Sequence, residues 1–165
     1  MIEHLTLRVA RPHDAQAIAR MSRDRIEAGL GWRWNEARVL QSLADPATNV
    51  IVAQSAGAVA ARAEPLGFGI MKYRDDEAHL LLLAVRADAC RRGAGTALVG
   101  WLEKSARAAG LGQIYLEARI TNAAARAFYA ELGYFEIQTL PGYYAGREAC
   151  VRLAKDLWLE PWERA

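Results

Sequence analysis

The chain has 165 residues, of which 53% are hydrophobic and 24% charged, so it has enough apolar material for one hydrophobic core and does not have the composition of a disordered chain. Its 21 basic residues are nearly balanced by 19 acidic ones, which argues against a broad basic surface for nucleic acid. The longest apolar run, Leu80 to Val85, is far shorter than the roughly 20 residues of a membrane span, and the first residues lack a signal-peptide pattern. We expect one soluble domain over residues 1–165, with neither nucleic acid nor a membrane as partner.

Cysteine and histidine usage argues against disulfides and metals. Cys90 and Cys150 lie far apart in the sequence, and neither has a histidine nearby. The three histidines, His4, His13 and His79, have no partner three or four residues away that would place two ligands on one helix face. A reducing cytoplasmic location and the absence of a structural metal are therefore expected.

The first half of the chain alternates strand and helix patterns. In chain order it predicts a strand at 5–9, helices at 15–26 and 35–43, and strands at 50–53 and 66–73, with 58–64 undecided. Asn35 is a good N-cap, and Asp45 with Pro46 stops the second helix. Trp32 and Trp34 therefore fall in the loop between the two helices.

The second half contains the strongest strand–helix patterns. It predicts strands at 78–86, 114–120, 134–139 and 148–153, and helices at 97–109 and 123–132. The apolar run at 78–86 is typical of a central strand that is covered on both faces. The predicted fold class is α/β (α+β), one domain with a mixed central sheet of about six to seven strands flanked by about four helices. Most strands are expected to be antiparallel, and strands joined by a helix can run parallel.

A glycine-rich turn follows the predicted central strand. Gly93 and Gly95 permit close approach of the backbone to a ligand, and the unpaired N–H groups at the start of the next helix favour an anion. The turn matches neither the nucleoside-triphosphate loop nor the dinucleotide fingerprint, which needs a third glycine where Leu98 stands. A tight turn with two solvated arginines remains the alternative interpretation.

Two segments together resemble the GNAT acetyltransferase superfamily. Val85 followed by Arg91-Arg92-Gly93-Ala94-Gly95-Thr96 resembles its acetyl-CoA pyrophosphate loop. The second segment resembles the closing strand–helix–strand of the bacterial ribosomal-protein-alanine N-acetyltransferase branch, in the strings Glu117-Ala-Arg119, Asn122-Ala-Ala-Ala125, Phe128-Tyr129 and Leu132-Gly133-Tyr134. The resemblance runs from about Ala78 to Leu153. It implies transfer of an acetyl group from acetyl-CoA by direct attack of a primary amine, with a protein N-terminal amine as the favoured acceptor.

The resemblance also implies a set of cofactor-binding residues. The loop from Arg91 to Thr96 would hold the pyrophosphate. The backbone of Leu83, Ala84 and Val85 would pair with the pantetheine arm like an added strand, and the N–H of Val85 would stabilise the oxyanion. Asn122 would cap a helix and contact the same arm, and Tyr129 would lie against the cofactor thiol.

Two residues are candidates for proton transfer. The resemblance implies that Glu117 is the base, and partial desolvation on the polar face of its strand is expected to raise its pKa. The alternative for Glu117 is a salt bridge with an arginine such as Arg119. The resemblance implies that Tyr129 protonates the departing thiolate, and the alternative is a core tyrosine beside Phe128.

Other functions and site residues remain open. Cys90, beside Arg91 and Arg92, is a rival nucleophile for covalent acetyl transfer. Four aromatic residues are candidates for an amine-binding groove, with plain packing as the alternative: Trp32, Trp34, Tyr143 and Tyr144. The acceptor alternatives are a lysine or a small amine, and a catalytically silent CoA-binding sensor or partner module is the alternative to an enzyme. The oligomeric state is left as monomer or homodimer.

Overall fold

The computed structural model describes residues 4–56, 64–144 and 148–159, with the side chain of Tyr144 left out. Most of the undecided segment 58–64 lies outside these ranges. The contacts group the chain into two compact units, the first made of Met1–Lys72 and Leu82–Leu102 and the second of Tyr73–Leu81 and Glu103–Ala165. No helix in the described ranges is long and apolar enough to cross a membrane.

The element order predicted from the sequence is confirmed. The elements are β1 (Leu5–Val9), α1 (Ala15–Arg25), α2 (Glu36–Ala44), β2 (Thr48–Ser55), β3 (Gly67–Tyr73), β4 (Glu77–Val85), α3 (Ala94–Ala108), β5 (Gln113–Arg119), α4 (Ala123–Glu131), β6 (Phe135–Tyr144) and β7 (Glu148–Asp156). The hydrogen-bonded strand order is β1-β2-β3-β4-β5-β7-β6, which makes β4 the central strand as predicted. The β4–β5 pair is parallel, because α3 carries the chain back across the sheet, whereas β1–β2, β2–β3, β5–β7 and β6–β7 are antiparallel.

The first unit contains β1 to β3, the end of β4 and both N-terminal helices. Asp14 is 2% exposed and fixes the entry to α1 by accepting hydrogen bonds from both Nη atoms of Arg8, at 2.7 and 2.9 Å, and from the backbone N–H of Arg11. Fully buried side chains of this unit include Ile18, Val39, Ile51, Phe68, Ile70, Met71, Leu98 and Leu102.

Gly67 sets how closely β3 approaches β4. A Cβ at this position would lie 2.9 Å from the carbonyl oxygen of Ala84 and 3.2 Å from Cγ2 of Val85, which leaves no room for a side chain. The backbone N–H of Arg86 donates to the carbonyl of Leu66 at 2.7 Å. Because successive strand residues direct their backbone groups to opposite neighbours, Val85 directs its own N–H and C=O away from β3.

The second unit contains the start of β4, β5 to β7 and α4. Ile114, Leu116 and Ala118 of β5 are buried, whereas Tyr115, Glu117 and Arg119 are half-buried on the opposite face, as the alternation predicted. A separate ion cluster lies elsewhere in the unit, where the Glu103 carboxylate accepts from Nζ of Lys155 at 2.8 Å and from the Tyr134 hydroxyl at 3.2 Å.

Two details of the sequence prediction are wrong. β4 is not covered on both faces, because buried residues alternate with half-buried ones along its whole length. The strand predicted at 134–139 ends too early, because β6 runs on past Pro141-Gly142. The strand continues to Tyr144 through register shifts, and Gly142 takes a φ of 65° that side-chain-bearing residues rarely adopt.

Candidate active site

The loop between β4 and α3 has the backbone shape of an anion-binding turn. Arg91 and Gly93 lie in the left-handed region, with φ of 65° and 85°, and α3 begins at Ala94. The N–H of Ala97 donates to the carbonyl of Gly93, so Gly93 caps the helix and the first helical N–H groups precede any intrahelical partner. A non-glycine residue at positive φ is uncommon and is a feature of functional loops. Because Arg91, Arg92 and Thr96 are exposed, the loop presents cations and a hydroxyl beside a helix N-terminus.

Arg25 at the end of α1 contacts this loop, which the sequence analysis missed. Its Nε donates to the carbonyl of Val85 at 3.2 Å, and its Nη2 lies 3.6 Å from Sγ of Cys90. Cys90 is exposed, and its thiol also lies 3.3 Å from the carbonyl oxygen of Arg86. The Cys90 sulfur is therefore contacted by the guanidinium of Arg25, which lies far away in the sequence.

The last residues of β4 lie beyond the part of the strand that pairs with β5. The β4–β5 pairing covers three residues on β4, from Glu77 to His79. Leu83, Ala84 and Val85 follow later on β4, and Ala84 is buried whereas its two neighbours are half-buried. The side-chain pattern and the direction of the Val85 backbone are compatible with the added-strand role that the resemblance implies.

Glu117 on β5 is a buried carboxylate with two partners. Its side chain is 7% exposed, and Oε1 accepts from Nη2 of Arg152 at 2.8 Å and from its Nε at 3.1 Å. The other oxygen, Oε2, lies 2.6 Å from Nε2 of His79 on β4. The alternative prediction of a salt bridge is therefore correct in kind, but the arginine is Arg152, the cross-strand neighbour on β7. Arg119 instead pairs with Glu148 at 2.7 Å.

The expected direction of the Glu117 pKa is wrong. Burial does act to raise the pKa of Glu117, and it is the largest single influence. The hydrogen bond and charge of His79, together with those of Arg152, outweigh burial and lower the pKa below its ordinary value. Glu117 is therefore fully ionised near neutral pH.

His79 belongs to this cluster, although the sequence analysis considered it only as a metal ligand. Its ring stacks on Tyr115, with centroids 4.2 Å apart and planes inclined by 17°. The guanidinium of Arg152 lies 5.4 Å from the centroid of the same tyrosine ring. His79 pairs with Tyr115 in the β4–β5 register, so the parallel pairing brings it beside the face that carries Glu117. No local spacing in the sequence signals this contact.

Asn122 and Tyr129 lie on α4. Asn122 is exposed, and its Oδ1 accepts from the N–H of Ala125 at 3.1 Å, which confirms the predicted N-cap. Tyr129 is 7% exposed and makes edge contacts with Phe128 and Tyr134 at centroid distances of 5.0 and 5.5 Å. This environment agrees with the predicted core packing, and the roles of both residues toward a cofactor stay predictions.

The loop between α1 and α2 is organised by a buried carboxylate that the sequence analysis missed. Glu27 is 7% exposed and accepts from the N–H groups of Arg33 and Trp34, at 2.7 and 3.2 Å, and from the hydroxyl of Ser22. Trp34 is thereby held in the core, whereas Trp32 is 44% exposed. The two tryptophans predicted for a groove therefore differ: Trp34 packs inside and Trp32 faces outward.

The tyrosines predicted for the same groove lie on β6. Tyr143 is 46% exposed, and partial burial followed by the nearby charge of Glu117 raises its pKa. The side chain of Tyr144 is outside the described residues. Cys150 is fully buried, and burial raises the pKa of its thiol. Within the described ranges, no group of three or more His, Cys, Asp or Glu side chains is placed to hold a metal ion.

The fold is of the mixed α/β class, with a strand–turn–helix of anion-binding shape and, separately, a buried carboxylate–imidazole pair. The chain belongs to the acetyltransferase (GNAT) family, whose sequence profile matches residues 17–134. This assignment confirms the family resemblance of the Val85–Thr96 and Glu117–Tyr134 segments.

Individual relatives agree with the family assignment. The chain is 38% identical over 90 residues to the [ribosomal protein bS18]-alanine N-acetyltransferase of Escherichia coli strain K12, a match that covers 53% of this chain and 61% of that protein. It thus spans about three-fifths of the length of this curated relative. Among solved structures, Ard1 from Thermoplasma volcanium superposes with a TM-score of 0.79 at 25% identity, over 94% of this chain and 99% of that one. The ribosomal-protein-S18-alanine N-acetyltransferase from Escherichia coli gives 0.78 at 25% identity, over 95% and 96%.

Proposed function

We propose that the protein is an acetyl-CoA-dependent N-acetyltransferase that acetylates a primary amine, and that the amine is the N-terminus of a protein or peptide. The observation that carries this proposal is the loop from Arg91 to Thr96, with Arg91 and Gly93 at positive φ ahead of the α3 N-terminus, in a chain of the GNAT family. An anion of the pyrophosphate type fits this turn, because helix N–H groups and exposed arginines point to the same ligand.

The donor of the acetyl group would be held by residues of the first unit. The loop residues hold the pyrophosphate, and the backbone of Leu83, Ala84 and Val85 pairs with the pantetheine arm. Acetyl-CoA, when bound, supplies the thioester carbonyl. The N–H of Val85, directed away from β3, is the proposed donor for the negative charge that develops on that carbonyl oxygen.

The acceptor side needs a proton removed from the ammonium and a proton delivered to the leaving sulfur. The proposed source of negative charge for the first task is Glu117, which is buried and ionised between Arg152 and His79. The proposed acid for the second is Tyr129 on α4. Its buried ring restricts the phenol to a fixed position, as an acid that must meet one sulfur atom requires.

The choice of acceptor rests on relatives rather than on side chains. The Escherichia coli relative is named as an alanine N-acetyltransferase of ribosomal protein bS18. Exposed Trp32 and Tyr143 are candidates for contacts with a peptide, since aromatic side chains are enriched at recognition surfaces. Lysine side chains and small amines are the competing acceptors.

The test is release of free thiol from acetyl-CoA with N-terminal peptides, lysine peptides and small amines. We expect turnover on a peptide with an N-terminal alanine, and a loss of about 100-fold in kcat for Tyr129→Phe. The matched control is Tyr134→Phe, which removes a hydroxyl bonded to Glu103 and is expected to change stability rather than kcat. Cofactor binding without turnover on any amine would contradict the proposal and favour the sensor alternative.

The rival covalent route through Cys90 is tested in the same assay. Cys90→Ser removes the nucleophilic thiol and keeps a side chain of similar size. We expect kcat to stay within about threefold of wild type and no acetyl-cysteine to be found by mass spectrometry. Accumulation of acetylated Cys90 before amine is added would show that the acetyl group is transferred in two steps rather than by direct attack.

A further inference from the structure

One ring nitrogen of His79 has no partner in the part of the chain that the structure describes. Nδ1 is buried and makes no hydrogen bond there, while Nε2 of the same ring lies 2.6 Å from Oε2 of Glu117. Buried polar atoms in folded proteins are nearly always paired, and an unpaired one in a candidate site indicates a place for water or a reacting group. The imidazole is thus held in place through Nε2, and Nδ1 is the atom that can interact with water or with a reacting group.

The contact with Glu117 determines which nitrogen carries the hydrogen. Ionised Glu117 has no proton to give, so it accepts, and Nε2 of His79 is the donor. In the neutral ring Nδ1 then carries the lone pair. Nδ1 is therefore the atom of this ring that is placed to accept a proton.

Charged and titratable groups face the ring from its own strand and from three others. Glu117 on β5 is hydrogen-bonded to Nε2, and Tyr115 on the same strand stacks on the ring. Arg152 on β7 pairs with the other oxygen of Glu117. Tyr143 on β6 feels the charge of Glu117, and Glu77 lies two residues before His79 on β4.

We propose that His79 is the catalytic base of the acetyl transfer and that Glu117 is its positioning residue, an inference that rests on the proposed N-acetyltransferase function. An N–H bond of the acceptor ammonium breaks, and its proton goes through water to Nδ1 of His79, while the electron pair stays on the amine nitrogen. That nitrogen forms the C–N bond with the acetyl group as the C–S bond breaks. The departing sulfur takes the hydroxyl proton of Tyr129. The second proton of the former ammonium group then returns to the Tyr129 oxygen. The imidazolium later releases its proton to water, so one proton is released for each acetyl group.

The first test compares His79→Gln with the matched control His13→Gln, whose side chain is 51% exposed in the wild type. We expect His79→Gln to lower kcat/KM by about 100-fold at pH 6.5 and much less at pH 9, where the α-amine is already deprotonated in solution. The KM for acetyl-CoA is expected to stay within twofold, and the control is expected to match wild type throughout. A folded His79→Gln variant with kcat/KM within threefold of wild type at pH 6.5 would overturn the base role.

The second test needs no variant at position 79. In histidine-labelled wild-type protein, nitrogen NMR is expected to show His79 with hydrogen on Nε2 and none on Nδ1. In Glu117→Gln, the rising limb of the pH–kcat/KM profile is expected to move to lower pH, because the carboxylate beside the proposed base is lost. A wild-type ring with hydrogen on Nδ1 would overturn the inference.

The two proposals fail in different ways. If wild-type protein transfers no acetyl group to any amine, the proposed function fails and the base role fails with it. If wild type is active and His79→Gln is equally active, the function stands and only the base role is lost.

Discussion

Arg152 on β7 donates to Oε1 of Glu117 on β5 with both Nη2 and Nε, at 2.8 and 3.1 Å, and the two residues face each other in the antiparallel register. A buried carboxylate without such a partner would be pushed toward its neutral form. The arginine and His79 together reverse that effect. Glu117 therefore stays charged in the interior of the second unit, which makes it better suited to stabilise an imidazolium than to remove a proton itself.

Acid stability is expected to depend on Glu117. Because its folded-state pKa is lowered, its contribution to the free energy of unfolding is present above its ordinary pKa, near 4.3, and is lost as the pH falls through the folded value. We expect Glu117→Gln to lower the free energy of unfolding by about 1–3 kcal/mol at pH 7, with a smaller difference from wild type at pH 3. Urea unfolding of wild type and variant between pH 3 and pH 7 measures this difference in the free energy of unfolding. A difference that grows toward low pH would contradict the prediction.

Gly93 and Gly100 form a matched pair for the phosphate-loop proposal. A Cβ would meet nothing within 4 Å at either position, but Gly93 has a φ of 85° whereas Gly100 lies inside α3. We expect Gly93→Ala to destabilise the fold by about 1 kcal/mol and to weaken CoA binding, because alanine disfavours the left-handed region. Gly100→Ala is expected to stabilise by about 0.5–1 kcal/mol and to leave CoA affinity unchanged. Thermal unfolding and calorimetric titration with CoA check both, and equal effects on affinity would contradict the loop assignment.

The N-cap residues of α4 and α2 separate a structural role from a cofactor role. Asn122 and Asn35 each accept a backbone N–H through Oδ1, at 3.1 and 3.0 Å, and both are exposed. We expect Asn122→Ala and Asn35→Ala each to lower the free energy of unfolding by about 1 kcal/mol. Only Asn122→Ala is expected to raise the KM for acetyl-CoA. Kinetics that are unchanged in both variants would limit Asn122 to its capping role.

Glu27 is expected to hold the tryptophan loop in place. Its carboxylate accepts from the N–H groups of Arg33 and Trp34, and replacing it by Leu leaves both donors unpaired. We expect Glu27→Leu to lower the free energy of unfolding by about 2 kcal/mol and to increase acrylamide quenching of tryptophan fluorescence as Trp34 becomes accessible. Glu36→Leu, at the exposed start of α2, is the control, and comparable quenching in the two variants would contradict the assignment.

Thiol labelling is expected to distinguish the two cysteines. Cys90 is exposed, whereas Cys150 is fully buried and burial raises the pKa of its thiol. Native protein treated with iodoacetamide at pH 8 should gain one label, on Cys90, and unfolded protein should gain two. Rapid labelling of Cys150 in the native state, followed by mass spectrometry, would show that β7 opens locally.

The order of strands and helices could be predicted from the sequence because it follows from local patterns. The alternation in β5, the N-caps Asn35 and Asn122, and the glycine turn before α3 each depend on residues a few positions apart. The same local strings carry the family resemblance. β6 was predicted too short, because proline and glycine interrupt the local strand pattern and only the register with β7 shows an irregular pairing that accommodates them.

The sequence by itself thus determined the class of fold, the glycine-rich turn before α3 and the candidacy of Glu117 and Tyr129. The tertiary structure decided the partners and charge state of Glu117, because His79 and Arg152 lie 38 and 35 positions away and reach it only through the β4–β5 and β5–β7 pairings. It likewise brought Arg25 to Val85 and Cys90, across 60 positions or more. The physical reason is that burial and charge pairing act on the pKa of a carboxylate in opposite directions, and only the fold sets which of them is larger.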